Sequence, residues 1–111
     1  MKSVRLTRRA ASRLEDIAAW TIDHFGPAQA SKYEGQLIRR LNALAAGDPP
    51  RGRSCSLLAP GLTAAAGLLY VREGGHFIVY RETDVAIQVI DFIHGARDLD
   101  GILRDLGKKP I

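Results

Sequence analysis

Residues 77–94 read FIVYRETDVAIQVIDFIH, two apolar runs joined by the short polar turn Thr83-Asp84-Val85. Ile, Val, Tyr and Phe dominate both runs, and each run has the length of a strand rather than a helix, so the stretch predicts two antiparallel strands. Immediately upstream, Gly67–Glu73 (GLLYVRE) and His76–Glu82 (HFIVYRE) flank Gly74-Gly75. Both glycines accept positive φ without a steric penalty, which makes this the stronger hairpin signal. Strands over 67–73, 76–82 and 86–93 therefore give a three-stranded antiparallel meander.

Working outward, residues 48–65 hold three of the five prolines among Gly, Arg, Ser and Ala, and read as a loop held by Leu57 and Leu58. Before it, Ala30, Tyr33, Leu37, Leu41 and Leu44 recur at helical spacing, with Lys32, Gln36, Arg39 and Arg40 turned elsewhere, until Gly47-Asp48-Pro49-Pro50 stops the helix. A first helix carries Ala11, Leu14, Ile17, Ala18, Thr21 and Phe25 on one stripe. Thr7 can cap it, and Gly26-Pro27 separates it from the second helix, so the two fold back as a hairpin. Ser3-Val4-Arg5-Leu6 alternates as a short strand ahead of that cap. After the meander, Leu99, Ile102, Leu103 and Leu106 share one face of a short helix weakened by Gly101. The expected fold is α+β: a short N-terminal strand, a two-helix antiparallel hairpin, the meander forming one sheet, and a marginal C-terminal helix.

A chain of 111 residues, 46% hydrophobic and 25% charged, fits one domain over 1–111 with a single core and no low-complexity segment. Its net charge of +4 suits an acidic partner without marking a dedicated nucleic-acid binder. Cys55 is the only cysteine, and MKSVRLTRRA lacks the apolar core of a signal peptide, so a reducing cytoplasm is the expected compartment and no membrane partner is expected.

The side chains narrow the chemistry. His24, His76 and His94 have no ligand-like spacing to one another or to Cys55, so neither a metal nor another cofactor is expected. Glu15 and Asp16 are neighbours on a helix and point about 100° apart, so they do not share a substrate. Phosphate-binding glycine motifs are absent. What is left is the sheet. Metal-free cleavage of RNA needs a base, an acid and cations on the phosphate, and Arg72, Arg81, Arg97, His94 and Tyr80 are residues of those types. Strand alternation puts Tyr80 and Arg81 on opposite faces unless a bulge intervenes. The same residues also fit a purely structural role, with Tyr80 as a core aromatic and His94 closing a strand end, so cutting and gripping both stay open on the residues alone.

The order strand, helical hairpin, meander resembles the RelE/ParE superfamily of type II toxins, and ParE within it. The likeness runs through Leu6-Thr7-Arg8-Arg9-Ala10, Asp16-Ile17 with Trp20, Phe25-Gly26, Asp48-Pro49-Pro50-Arg51-Gly52-Arg53, Tyr80-Arg81, and His94 with Arg97-Asp98. The resemblance implies a non-catalytic toxin that inhibits DNA gyrase and is neutralised by a cognate ParD-like antitoxin, with no sequence-specific DNA reading by the toxin alone. RelE-like relatives are ribosome-dependent messenger-RNA endonucleases, and His94 fits that alternative. A degenerate member serving only in antitoxin complexes is the third. Ser54 to Val71 contains no Lys or Arg, where the nucleases carry basic residues, and this favours gyrase. Many ParE relatives have arginines where this chain has Gly61-Leu62-Thr63-Ala64-Ala65-Ala66.

Two surfaces are expected. The antitoxin, as an amphipathic segment folding on contact, crosses Leu14, Ile17, Trp20, Tyr33, Leu37 and Leu41, with Arg39 and Arg40 at the rim. The target meets Arg72, Arg81, His94 and Arg97, cations grouped at a sheet end.

Overall fold

The computed structural model describes residues 1–55 and 67–95. Helix α1 (Arg8–Phe25) and helix α2 (Pro27–Ala46) follow strand β1 (Ser3–Leu6). Thr7 caps α1 as expected, its hydroxyl accepting from the Ala10 N–H at 3.1 Å. The chain turns at Gly26, whose N–H returns to the Ile22 carbonyl at 2.9 Å, and Pro27 opens α2. Gly47 closes α2 in the left-handed conformation, with φ at 82°.

Strands β2 (Arg53–Ser54), β3 (Leu69–Glu73), β4 (His76–Glu82) and β5 (Ala86–His94) complete one five-stranded sheet in the order β1-β5-β4-β3-β2. The meander of β3, β4 and β5 is the one expected, although β3 starts at Leu69 rather than Gly67. Two strands flank it. β1 lies parallel to β5 with Ser3 opposite Ala86 and Leu6 opposite Val89, while β2, inside the segment read as a loop, pairs antiparallel to β3. A two-residue strand has no periodicity to betray it. The C-terminal helix and the Leu57–Leu58 anchor lie outside the described residues.

One irregularity shapes the centre of the sheet. Val79 sits opposite Asp91 but Tyr80 sits opposite Val89, so Ile90 is an extra residue on β5. Its carbonyl accepts from the Thr7 hydroxyl at 3.0 Å, which ties the start of α1 to the bulge. Because the bulge is in β5, alternation along β4 is undisturbed. Tyr80 is fully buried with the helix-facing core, and its hydroxyl accepts from the Gly52 N–H at 3.0 Å. A side chain at position 52 would collide with that ring.

The core joins Ala10, Ile17, Leu37, Leu41 and Leu44 of the hairpin to Val71, Ile78, Tyr80, Ile87, Val89 and Phe92 of the sheet. Each large side chain enclosed there contributes about 1.5–3 kcal/mol relative to exposure. The inward stripe of α1 differs from the expected one. Ala10, Ile17 and Thr21 are buried, Ala11 and Ala18 only partly, and Phe25 is 65% exposed. Alanines at several angles around α1 let either phase look apolar, and Phe25 is the last helical residue before the turn. Among the described residues no helix is long and apolar enough to cross a membrane.

Candidate functional site

The turn between β3 and β4 and the end of β5 gather the polar groups of one sheet end. Gly74 takes φ at +58°, and a Cβ there would lie 2.6 Å from the Tyr33 ring, so the absence of a side chain lets α2 close onto the turn. Tyr33 uses that approach. Its hydroxyl accepts from the Gly75 N–H at 3.1 Å, lies 3.2 Å from the Glu73 carbonyl, and is 2.6 Å from His76 Nδ1. All three contacts are satisfied together when the hydroxyl donates to the carbonyl and His76 donates from Nδ1, an assignment that leaves the lone pair on Nε2. The Glu73 carboxylate accepts from Gln36 at 2.7 Å and from Arg40 Nε at 2.8 Å, a second tie between α2 and the sheet.

His94 stands directly opposite His76 in the β4–β5 ladder, and the two rings are 5.4 Å apart, centroid to centroid, at 89°. Gly95 donates to the Gly75 carbonyl at 2.8 Å and so holds the end of β5 beside the turn. Arg72 lies alongside, its guanidinium 5.3 Å from the Phe77 ring centre and its Nε 3.3 Å from the Gly74 carbonyl.

Burial sets the electrostatics. It lowers His76 to about 4, helped by the positive fields of His94 and Arg13, so this ring is neutral at physiological pH. Burial also raises the Tyr33 hydroxyl. Burial pushes Glu73 up too, but its hydrogen bonds from Gln36 and Arg40 and the nearby arginine charge prevail, and it sits below the ordinary carboxylate range. A base held near 4 and a phenol raised above its ordinary value are poorly matched to proton transfer at neutral pH.

The expected target residues separate. Arg72 and His94 are both at this end but on opposite faces of the sheet, Arg72 in the row of Phe77 and Ile93 and His94 in the row of His76. Arg81 lies opposite Gln88, five positions from His76 along β4 and therefore roughly 17 Å away. Arg81 does not join the cluster, and Arg97 lies outside the described residues.

The expected antitoxin surface also divides. Leu37 and Leu41 are 0% and 1% exposed and Ile17 is buried, so these three hold the hairpin to its own sheet rather than line an open groove. Leu14 and Tyr33 are partly buried against the core, Arg40 is engaged by Glu73, and Arg39 is exposed. Trp20 is the exception among the apolar ones, 53% exposed and stacked on His24 at 4.0 Å and 18°. Phe25, 5.9 Å from the Trp20 ring, extends an exposed aromatic patch that an inward stripe through Phe25 conceals. An isolated helical pattern cannot distinguish a stripe covering its own sheet from one awaiting a partner.

Residues 4–99 match the family described as "ParE toxin of type II toxin-antitoxin system, parDE". Two relatives, each named Toxin ParE1, come from Mycobacterium tuberculosis strains CDC 1551 / Oshkosh and ATCC 25618 / H37Rv. Both are 31% identical over 96 residues, covering 86% of this chain and 91% of theirs. A solved chain of the "Chromosomal ParDE TA system from P. aeruginosa" has a TM-score of 0.66 at 20% identity, covers 85% of this chain and 96% of its own length, and shares the fold. With nearly all of β1 and every later element inside the matched span, the chain belongs to the ParE toxin family of type II toxin–antitoxin systems.

Proposed function

We propose that this ParE-family toxin works by binding: it inhibits DNA gyrase and is held inactive by a ParD-like antitoxin. The family match carries the reading. The sheet end adds support, since Arg72 and His94 are both exposed there, Arg72 on one face and His94 on the other, and a cation at that end suits an acidic or DNA-bound partner; Arg97 follows closely in sequence. The antitoxin contact centres on Trp20, with Phe25 beside it and Arg39 on the second helix. Likeness in fold to a chain of the P. aeruginosa ParDE system supports an antitoxin of this type.

The deciding experiment adds purified toxin to gyrase in a supercoiling assay. Inhibition that weakens when Arg72 and Arg97 are reversed to Glu supports the reading, and full supercoiling in the presence of the parent toxin refutes it. Trp20→Glu should abolish co-purification with the antitoxin.

Ribosome-dependent cleavage of messenger RNA is the second reading, favoured by one observation, the grouping of His76, His94 and Tyr33. Transcripts cut on programmed ribosomes by the parent and spared by His94→Ala would establish it over gyrase inhibition.

A further inference from the structure

We propose that His76 and His94 form a two-imidazole site for a divalent transition-metal ion of the zinc, nickel and copper class. The two residues are far apart in sequence with no ligand motif between them, and only the antiparallel register brings them face to face. Directly opposed residues project from the same side of a strand pair with Cβ atoms about 4.5–5.5 Å apart.

The ring geometry matches a shared ion. Metal–nitrogen bonds of about 2.0–2.1 Å, added to the roughly 1.1 Å from ring nitrogen to ring centre, put each centroid about 3.2 Å from the metal. Two rings at a tetrahedral angle would then have centroids about 5.2 Å apart. The observed separation is 5.4 Å, and the 89° interplanar angle keeps the ring edges clear of each other.

The surroundings also fit. Metal-bound histidines characteristically donate from the second ring nitrogen to a polar group that fixes the tautomer. Tyr33 occupies that place at 2.6 Å from His76 Nδ1, anchored in turn by Gly75 and Glu73. The nearby cations are engaged: Arg13 pairs with Asp91 at 3.3 Å, and Arg72 packs over Phe77. Imidazole donors select borderline transition metals over magnesium and calcium, which need oxygen ligands. No group of three or more His, Cys, Asp or Glu residues suited to a metal occurs among the described residues, so the described residues supply two ligands and the other positions fall to further donors such as water. A bound ion would pin β4 to β5 at the sheet end carrying Arg72.

Isothermal titration of ZnCl2 into the full, chelator-treated and dialysed chain tests the site directly. The parent should take up one ion per chain, with no uptake of Mg2+. His94→Ala, at an exposed position, should weaken binding by at least about tenfold, and Tyr33→Phe by about 10–100-fold. His24→Ala should leave it unchanged. His76→Gln, which preserves volume, should match His94→Ala, with circular dichroism verifying its fold. If His76→Gln does not fold, joint shifts of the His76 and His94 imidazole resonances on adding zinc to the parent take its place. Absence of zinc binding by the parent, retention of full affinity in His94→Ala, or loss of binding in His24→Ala would each overturn the proposal.

Discussion

The two ends of the β3–β4 hairpin are built alike up to a point and then diverge. Each has a glutamate that ties the sheet to another part of the chain. At one end Glu82 accepts from Lys2 at 2.7 Å and from Arg51 at 2.5 and 2.6 Å, and Arg51 also donates to the Leu44 carbonyl at 3.1 Å. At the other, Glu73 is held by Gln36 and Arg40. The Glu82 end consists of opposite charges satisfying one another around an open cleft that also includes Met1, Leu44 and Val85. The Glu73 end adds the half-buried Tyr33 and His76 and the exposed His94, with the exposed Arg72 on the other face of the sheet. Fastening uses charge pairs at both ends, but among the described residues only the Glu73 end also brings two imidazoles together.

Both ends are most exposed to damage through the helix that serves them. Leu37→Ala removes a fully buried side chain from α2 and should cost about 2–5 kcal/mol in denaturant unfolding, loosening both clamps together. Gly74→Ala acts on one end only. The new methyl meets Tyr33 at a backbone conformation that L-residues avoid, so a loss of about 1–3 kcal/mol should accompany the loss of Tyr33–His76 contact in imidazole spectra.

Acid titration sharpens the contrast further. His76 is lowered from its ordinary 6.5 to about 4, so the unfolded chain takes up the proton first. The contribution is complete above pH 6.5 and fades as pH falls towards 4, amounting to about 1–2 kcal/mol after screening of a half-buried ring. His76→Gln should flatten that part of the stability profile. Glu82, lowered chiefly by its hydrogen bond from Lys2, should lose its contribution only at lower pH, as it takes up a proton. The smallest effect on stability is expected from Trp20→Glu, within about 0.5 kcal/mol because the ring is largely exposed, against a complete loss of antitoxin capture.

Local signals are legible in the sequence. The Thr7 cap, the Gly26-Pro27 corner, the Gly47 stop and the Gly74-Gly75 hairpin each depend on a few adjacent residues, and each stands where it is expected. Non-local pairing is harder to read. Nothing in Ser3–Leu6 announces a parallel partner at Ala86–Val89, and Arg53–Ser54 is too short to show a period. The same limit applies to the candidate site. Strand-end positions bring Arg72 and His94 to one end of the sheet, but which face each takes and the pairing of His94 with His76 depend on a register set by the hairpin and the Ile90 bulge. Leu37 and Leu41 look available to a partner because helical periodicity does not say which surface an apolar stripe will meet.

Thr7 receives from Ala10 and donates to Ile90, and β1 takes its only described ladder partner from Ala86 to Val89. The opening of the chain is thus completed by residues synthesised some 83 positions later. A nascent toxin interrupted before that point has helices but no mate for its first strand, so unfinished products of synthesis are expected to be harmless.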